Sequence, residues 1–386
     1  MNKIELGLSI CLLGTIIAGM KMTPAVQKLI PPQAYKIPKD VTVHHDTRID
    51  DYYWLKERDT QPVLDYLKAE NDYTFAKMKH TELLQKTLYN EMRGRIKEDD
   101  TTVPYKFGNY MYYTRTEENL QYDIYCRKLG NSSGAEEITL NMNDMAKKHD
   151  YIDLSAYKIS PNEKLLALTI DTSGAELHKL IVKDIKTGEI LDDHLSNLDG
   201  SVEWANDNKT LFYTVLDKAH RSYQLWRHEL GDEQSDDLLV LQEDDDRFSV
   251  GLHRTKSGEF LKMDLESQIT TEVYLLDRND PFGEWKLVQP REQGVEYYVY
   301  HHGNYLYQIT NKDAINFKMI RTTLKGGKED EIIPNRDKTT LDDVSMFKNH
   351  MAVLERIDGN LEIRLFNFED ESWYNIEMNE DIYSVT

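Results

Sequence analysis

Residues 161–171 read PNEKLLALTID, a polar turn around Asn162 followed by a run suited to a strand. The phrase returns five more times: FGNYMYYTRT (107–116), NDNKTLFYTVLD (206–217), KSGEFLKMDLES (256–267), HGNYLYQITN (302–311) and FKNHMAVLER (347–356). The turn residues are Gly108, Asn162, Asn208, Gly258, Gly303 and Asn349, spaced by 54, 46, 50, 45 and 46 residues. A repeat of that period with several strands per unit is the signature of a β-propeller.

The remainder of each unit supports the same reading. After LLALTID comes KLIVKDIKTGEIL (179–191), a strand, a turn at Lys186-Thr187-Gly188 and another strand. YQLWRHEL and FKMIRTTLKGG occupy the same place in later units. The run after each turn reads as the inner strand of its unit, with a hairpin behind it. A single four-stranded sheet cannot bury both faces, so the units must pack on one another. A solenoid or a sandwich is the alternative, and the period of about 50 favours the propeller. From about Pro104 onward no helix of ordinary length is expected.

The front of the chain differs. After Pro31-Pro32 an extended polar arm carries an aromatic cluster at Tyr52, Tyr53 and Trp54. Thr60 reads as an N-cap with Pro62 just inside the helix. Val63, Leu64 and Leu67 recur at helical spacing, and a second helix runs through Leu83, Leu84, Leu88 and Met92 to Gly94. Residues 1–29 hold Lys3 and an uncharged apolar run over 6–20. That run is short for a membrane span and suits a signal-peptide core. No clean cleavage site follows. Two outcomes stand open: a periplasmic, exported or membrane-attached protein, or a cytoplasmic one with an uncleaved extension.

Composition narrows the partners. The formal net charge of −21 repels phosphate backbones and argues against nucleic acid. It attracts basic peptides, though plain solubility explains it equally well, and the acidic run 243–246 reads as solvated loop. The 24 Tyr against 10 Phe suit half-buried strands. The two cysteines, Cys11 and Cys126, do not suggest a staple. No Cys/His pairs have zinc spacing, and His44-His45 and His301-His302 would point their side chains apart on extended backbone. No metal or cofactor is expected.

One catalytic motif is spelled. Gly130-Asn131-Ser132-Ser133-Gly134 matches the elbow that presents a serine nucleophile. An elbow needs a strand running directly into a helix. Here the flanks, YDIYCRKL and AEEITLNM, both read as strands, so Ser132 is expected in a hairpin loop and no catalytic residue is assigned.

The arm and the propeller entry together resemble the prolyl oligopeptidase family of serine peptidases, in its oligopeptidase B branch. Arg48, Asp50, Asp51, Tyr52, Tyr53, Trp54 and Leu55 fit the family's opening phrase. Tyr66, Leu67, Glu70 and Asn71 fit the next helix. Glu91, Met92, Arg95, Ile96, Pro104, Tyr112, Tyr113, Arg115, Tyr122 and Cys126 fit the entry into the propeller. The resemblance implies a seven-bladed, substrate-gating propeller joined to an α/β-hydrolase domain that cleaves short peptides after Lys or Arg. It also implies that the arm packs against that hydrolase.

The expected organisation is therefore a signal-like or anchor segment (1–29), an arm with two helices (30–100) and an all-β propeller of about six of seven four-stranded blades (101–386). The catalytic domain is expected to lie outside the chain. The matching residues are architectural. Expected partners are short basic peptides and a separate α/β-hydrolase polypeptide. The alternative is a stand-alone propeller that binds peptides or proteins without chemistry.

Overall fold

The computed structural model describes residues 29–130, 134–380 and 382–384. The chain forms two compact units, the second beginning at Glu98.

In the first unit, strands Lys39–Val43 and Asp46–Asp50 form a hairpin. His44 and His45 make its turn, both with left-handed φ (50° and 64°), so they do not lie on extended backbone as expected. A two-residue hairpin turn whose twist matches its strands requires φ > 0 at both positions. Helix α1 spans Gln61–Met78 and α2 spans Glu82–Arg93, ending at Gly94. Thr60 has the extended backbone of a cap, but its hydroxyl donates to the Glu57 carbonyl instead of accepting from the helix.

In the second unit, four sheets have four strands and one has seven. The large sheet fuses two blades, so the described residues form six blades of a propeller. Their first strands are Tyr105–Phe107, Asp153–Ile159, Ser196–Trp204, Ser249–Arg254, Tyr297–His302 and Thr339–Met346. The fusion joins blade 2 to blade 3, where Lys179 pairs with Ser196 and His178 with Leu198. The fourth strand expected in blade 2 shrinks to one bridge, Lys183 to Ile190. One short helix, α3 (Met142–Ala146), links blades 1 and 2.

The recurring turn joins the first strand of each blade to the second. The run that follows it is therefore the second strand, not the inner one. Its burial explains the apolar sequence. Leu166–Asp171 is buried at every position, as are Leu211, Phe212 and Tyr213. A strand inside a blade meets a neighbouring blade on each face, so both sets of side chains are covered. Accordingly, five apolar clusters sit one between each pair of successive blades.

The turns are also bonded to one another. The backbone and side-chain amides of Asn109 donate to the Glu163 carboxylate at 2.7 and 2.8 Å. Asn162 N–H donates to Asn208 Oδ1 (2.6 Å), and Asn206 N–H donates to the Arg278 carbonyl (2.8 Å). His301 Nδ1 meets Ser257 Oγ at 2.8 Å, and His302 Nε2 donates to the Lys348 carbonyl at 2.9 Å. Every pair of successive blades is thus linked at this one end.

Candidate functional site

A propeller's first strands surround its central channel, and here they exchange polar contacts around it. Lys158 Nζ of blade 2 reaches Glu203 of blade 3 at 2.5 Å. Tyr300 of blade 5 donates to Asp343 of blade 6 at 2.8 Å. Between blades 4 and 5 three carboxylates gather: Asp264 and Glu266 on the strand Phe260–Glu266, and Glu296 just before the first strand of blade 5. Alternation puts Asp264 and Glu266 on one face of their strand with Lys262.

Lys262 Nζ lies 3.2 Å from Asp264, and His253 Nε2 lies 3.6 Å from it. Asn311 and Tyr298 donate to Glu296 at 3.3 and 3.5 Å. Burial, then the negative charges of Asp264 and Glu296, raise the Glu266 pKa. Desolvation by the surrounding protein lowers the His253 pKa, against the pull of the Asp264 carboxylate. Three carboxylates against one lysine leave a local negative excess that a cation would relieve. The group offers attraction for positive charge.

At the turn end the channel mouth is spanned. The Arg254 guanidinium, closing blade 4's first strand, lies 5.0 Å from the Phe107 ring of blade 1. Lys256, in blade 4's turn, lies 3.9 Å from the Phe347 ring in blade 6's turn. Both contacts join blades that are not successive in the chain.

Ser132 lies outside the described residues. Its flanks are described: Ile124–Leu129 pairs antiparallel with Glu136–Asn141, with Lys128 opposite Glu136. A strand follows the motif where an elbow requires a helix, as the sequence implies. The acidic run 243–246 differs from expectation. Glu243 is buried and bonds Arg291 at 2.5 Å, while Arg291 also holds Glu272. Arg221 donates to the carbonyls of Glu243 and Asp245. Half of the run is thus an anchored corner rather than solvated loop, because Arg221 of blade 3 and Arg291, just past the last strand of blade 4, both hold it.

The first unit carries a second feature. Leu64 and Leu67 on α1, and Leu83, Leu84, Leu88 and Met92 on α2, are exposed. Trp54 is half-buried instead: it stacks on Tyr35 (4.2 Å), meets Tyr66 edge-on and donates to the Tyr35 carbonyl. The carboxylates between blades 4 and 5 escaped the sequence reading, since Asp264 and Glu296 converge on Glu266 only once the blade register is known.

The family model for "Prolyl oligopeptidase, N-terminal beta-propeller domain" matches residues 32–386. Protease 2 of Moraxella lacunata is 31% identical over 362 residues, covering 92% of this chain and 52% of that protein. Dipeptidyl aminopeptidase BI of Pseudoxanthomonas mexicana is 31% identical over 403 residues, covering 98% and 55%. Oligopeptidase B from Leishmania major superposes with a TM-score of 0.86 at 27% identity, over 92% of this chain and 54% of that one. The enzyme from Trypanosoma brucei with covalently bound antipain gives 0.83 at 29% identity, over 91% and 54%. The chain spans about half the length of the curated relatives it matches. The chain belongs to the prolyl oligopeptidase family of serine peptidases and corresponds to that family's N-terminal β-propeller domain.

Proposed function

We propose that this chain is the gating half of a serine oligopeptidase and that it favours short basic peptides. Hydrolysis would belong to an α/β-hydrolase partner, carried by the same protein or by a second polypeptide. The observation that carries the reading is the carboxylate group of Asp264, Glu266 and Glu296 between blades 4 and 5. The exposed apolar residues of α1 and α2 support the need for a partner. Attraction of this kind is diffuse: it draws cations in over a Debye length of ~8–10 Å and is screened by salt.

Calorimetric titration of an Arg-rich peptide tests it. Binding should be weak at low salt and vanish near about 0.5 M NaCl, where the Debye length falls below about 5 Å. Glu266→Gln with Glu296→Gln should weaken it further. A bound proton on Glu266 competes with the peptide's charge, so affinity should fall as pH drops through the raised Glu266 pKa. Tight binding with little salt dependence would favour a stand-alone peptide-binding module instead. Binding indifferent to both substitutions would remove the channel from the account.

A further inference from the structure

Blades 1 and 2 part on their outer side into a groove of about 420 Å³, a volume at the small end of ligand sites. It opens where the fourth strand of blade 2 is reduced to the Lys183–Ile190 bridge. Leu140, Leu168 and Ile170 form a buried floor, and Ile138 and Ile190 stand exposed at the rim.

Two lysines stand among the polar groups around this trough. Lys183 Nζ donates to the Thr139 carbonyl at 2.9 Å, and no carboxylate pairs with it among the described residues. Burial lowers its pKa with no opposing charge. Lys148 and His149, just beyond α3, also line the groove, and neither forms an ion pair among the described residues. The one acidic liner, Asp144, is held by Lys147 at 2.7 Å. In a chain of net charge −21, an apolar trough bordered by two lysines without carboxylate partners among the described residues is a local reversal of sign.

We propose that this groove binds an unbranched fatty-acid carboxylate of medium chain length. The alkyl chain lies on the Leu140, Leu168 and Ile170 floor, and the head group meets Lys183 Nζ with Lys148 nearby. Such a ligand removes apolar surface from water and supplies the counter-charge that a half-buried ammonium lacks. The groove is lined by blades 1 and 2 and the α3 link between them, and shares no residue with the carboxylate group between blades 4 and 5.

The test is titration of the whole chain with decanoate below its micelle concentration, beside decanol and an apolar peptide with a free C-terminal carboxylate. Decanoate should bind at one site, at least about tenfold tighter than decanol, the span expected of one charge-assisted contact. It should also protect Lys183 from acetic anhydride, read by mass spectrometry. Lys183→Met keeps the stem and removes the charge, so it should erase the preference over decanol. Should that variant melt early, Lys148→Met and the exposed Ile190→Glu provide the same test from the rim. Equal binding of decanoate and decanol, no protection of Lys183, or binding of the peptide without decanoate would each overturn the assignment.

Discussion

His228 shows how one buried side chain ties two blades together. Its ring is fully buried between two carboxylates, with Nδ1 2.6 Å from Asp237 and Nε2 3.3 Å from Asp193. The Tyr213 hydroxyl also donates to Asp237, and the Gly231 N–H donates to Asp193. Burial alone would lower the His228 pKa; the bonds to Asp237 and Asp193 outweigh it and leave it raised. A raised folded-state pKa means stability that is full below the ordinary value of about 6.5 and lost as pH climbs through the folded value. The melting temperature of the wild type should therefore fall across that window. His228→Gln should flatten the difference and cost about 3 kcal/mol below it, as expected for a broken buried pair. Identical pH profiles for the two proteins would show that the ring stays neutral. Gly200 is a second sensitive position. Its φ is +112°, and a Cβ there would sit 2.3 Å from Ser155 Oγ. Gly200→Ala should destabilise by about 2 kcal/mol or more in urea unfolding, through strain and contact together. Neither position was legible in the sequence, because burial and φ depend on partners that lie far along the chain.

At the scale of elements, the turns were legible and the strand order within a blade was not. Gly, Asn and Asp announce a tight turn wherever they cluster. The six repeated turns are real, but they connect first strands to second ones. Runs such as LLALTI look like any buried strand, and periodicity cannot say which place in a sheet a buried strand takes. Turn-to-turn bonding was equally hidden. Glu163 adopts a φ of +61° and offers its carboxylate to Asn109 and its carbonyl to Arg127. Glu163→Ala should cost about 2–3 kcal/mol, since two bonds to an ionised acceptor and the alignment of blades 1 and 2 go together. Glu163→Gln should recover part of that loss. A loss under about 0.5 kcal/mol in denaturant titration would mean that the turns merely abut.

For the whole molecule, period and composition were enough to expect about six blades, while the channel's charge pattern emerged only from the fold. The contacts over the turn-side mouth also belong to this scale. Cation–π pairs are worth about 0.5–2 kcal/mol each. A double-mutant cycle of Phe107→Leu with Arg254→Met should therefore give a coupling near about 1 kcal/mol. Zero coupling would mean that the guanidinium does not rest on the ring in solution. Catalysis is absent from the expectation. Residues 31–386 should leave arginyl chromogenic peptides uncleaved, because the G-x-S-x-G stretch lies between two paired strands. Turnover that disappears in Ser132→Ala would reverse this.

The seven-stranded sheet has a kinetic consequence. Most neighbouring blades meet through side chains and turns, which can separate without breaking a ladder. Blades 2 and 3 share backbone bonds: His178 and Lys179 pair directly with the next blade's first strand. Opening either blade therefore disturbs the other, and the two should behave as one cooperative unit. Amide protons of the strands Leu165–Asp171 and Thr210–Leu216 should then exchange with deuterium at matched, slow rates, while those of the strand His350–Ile357 open independently.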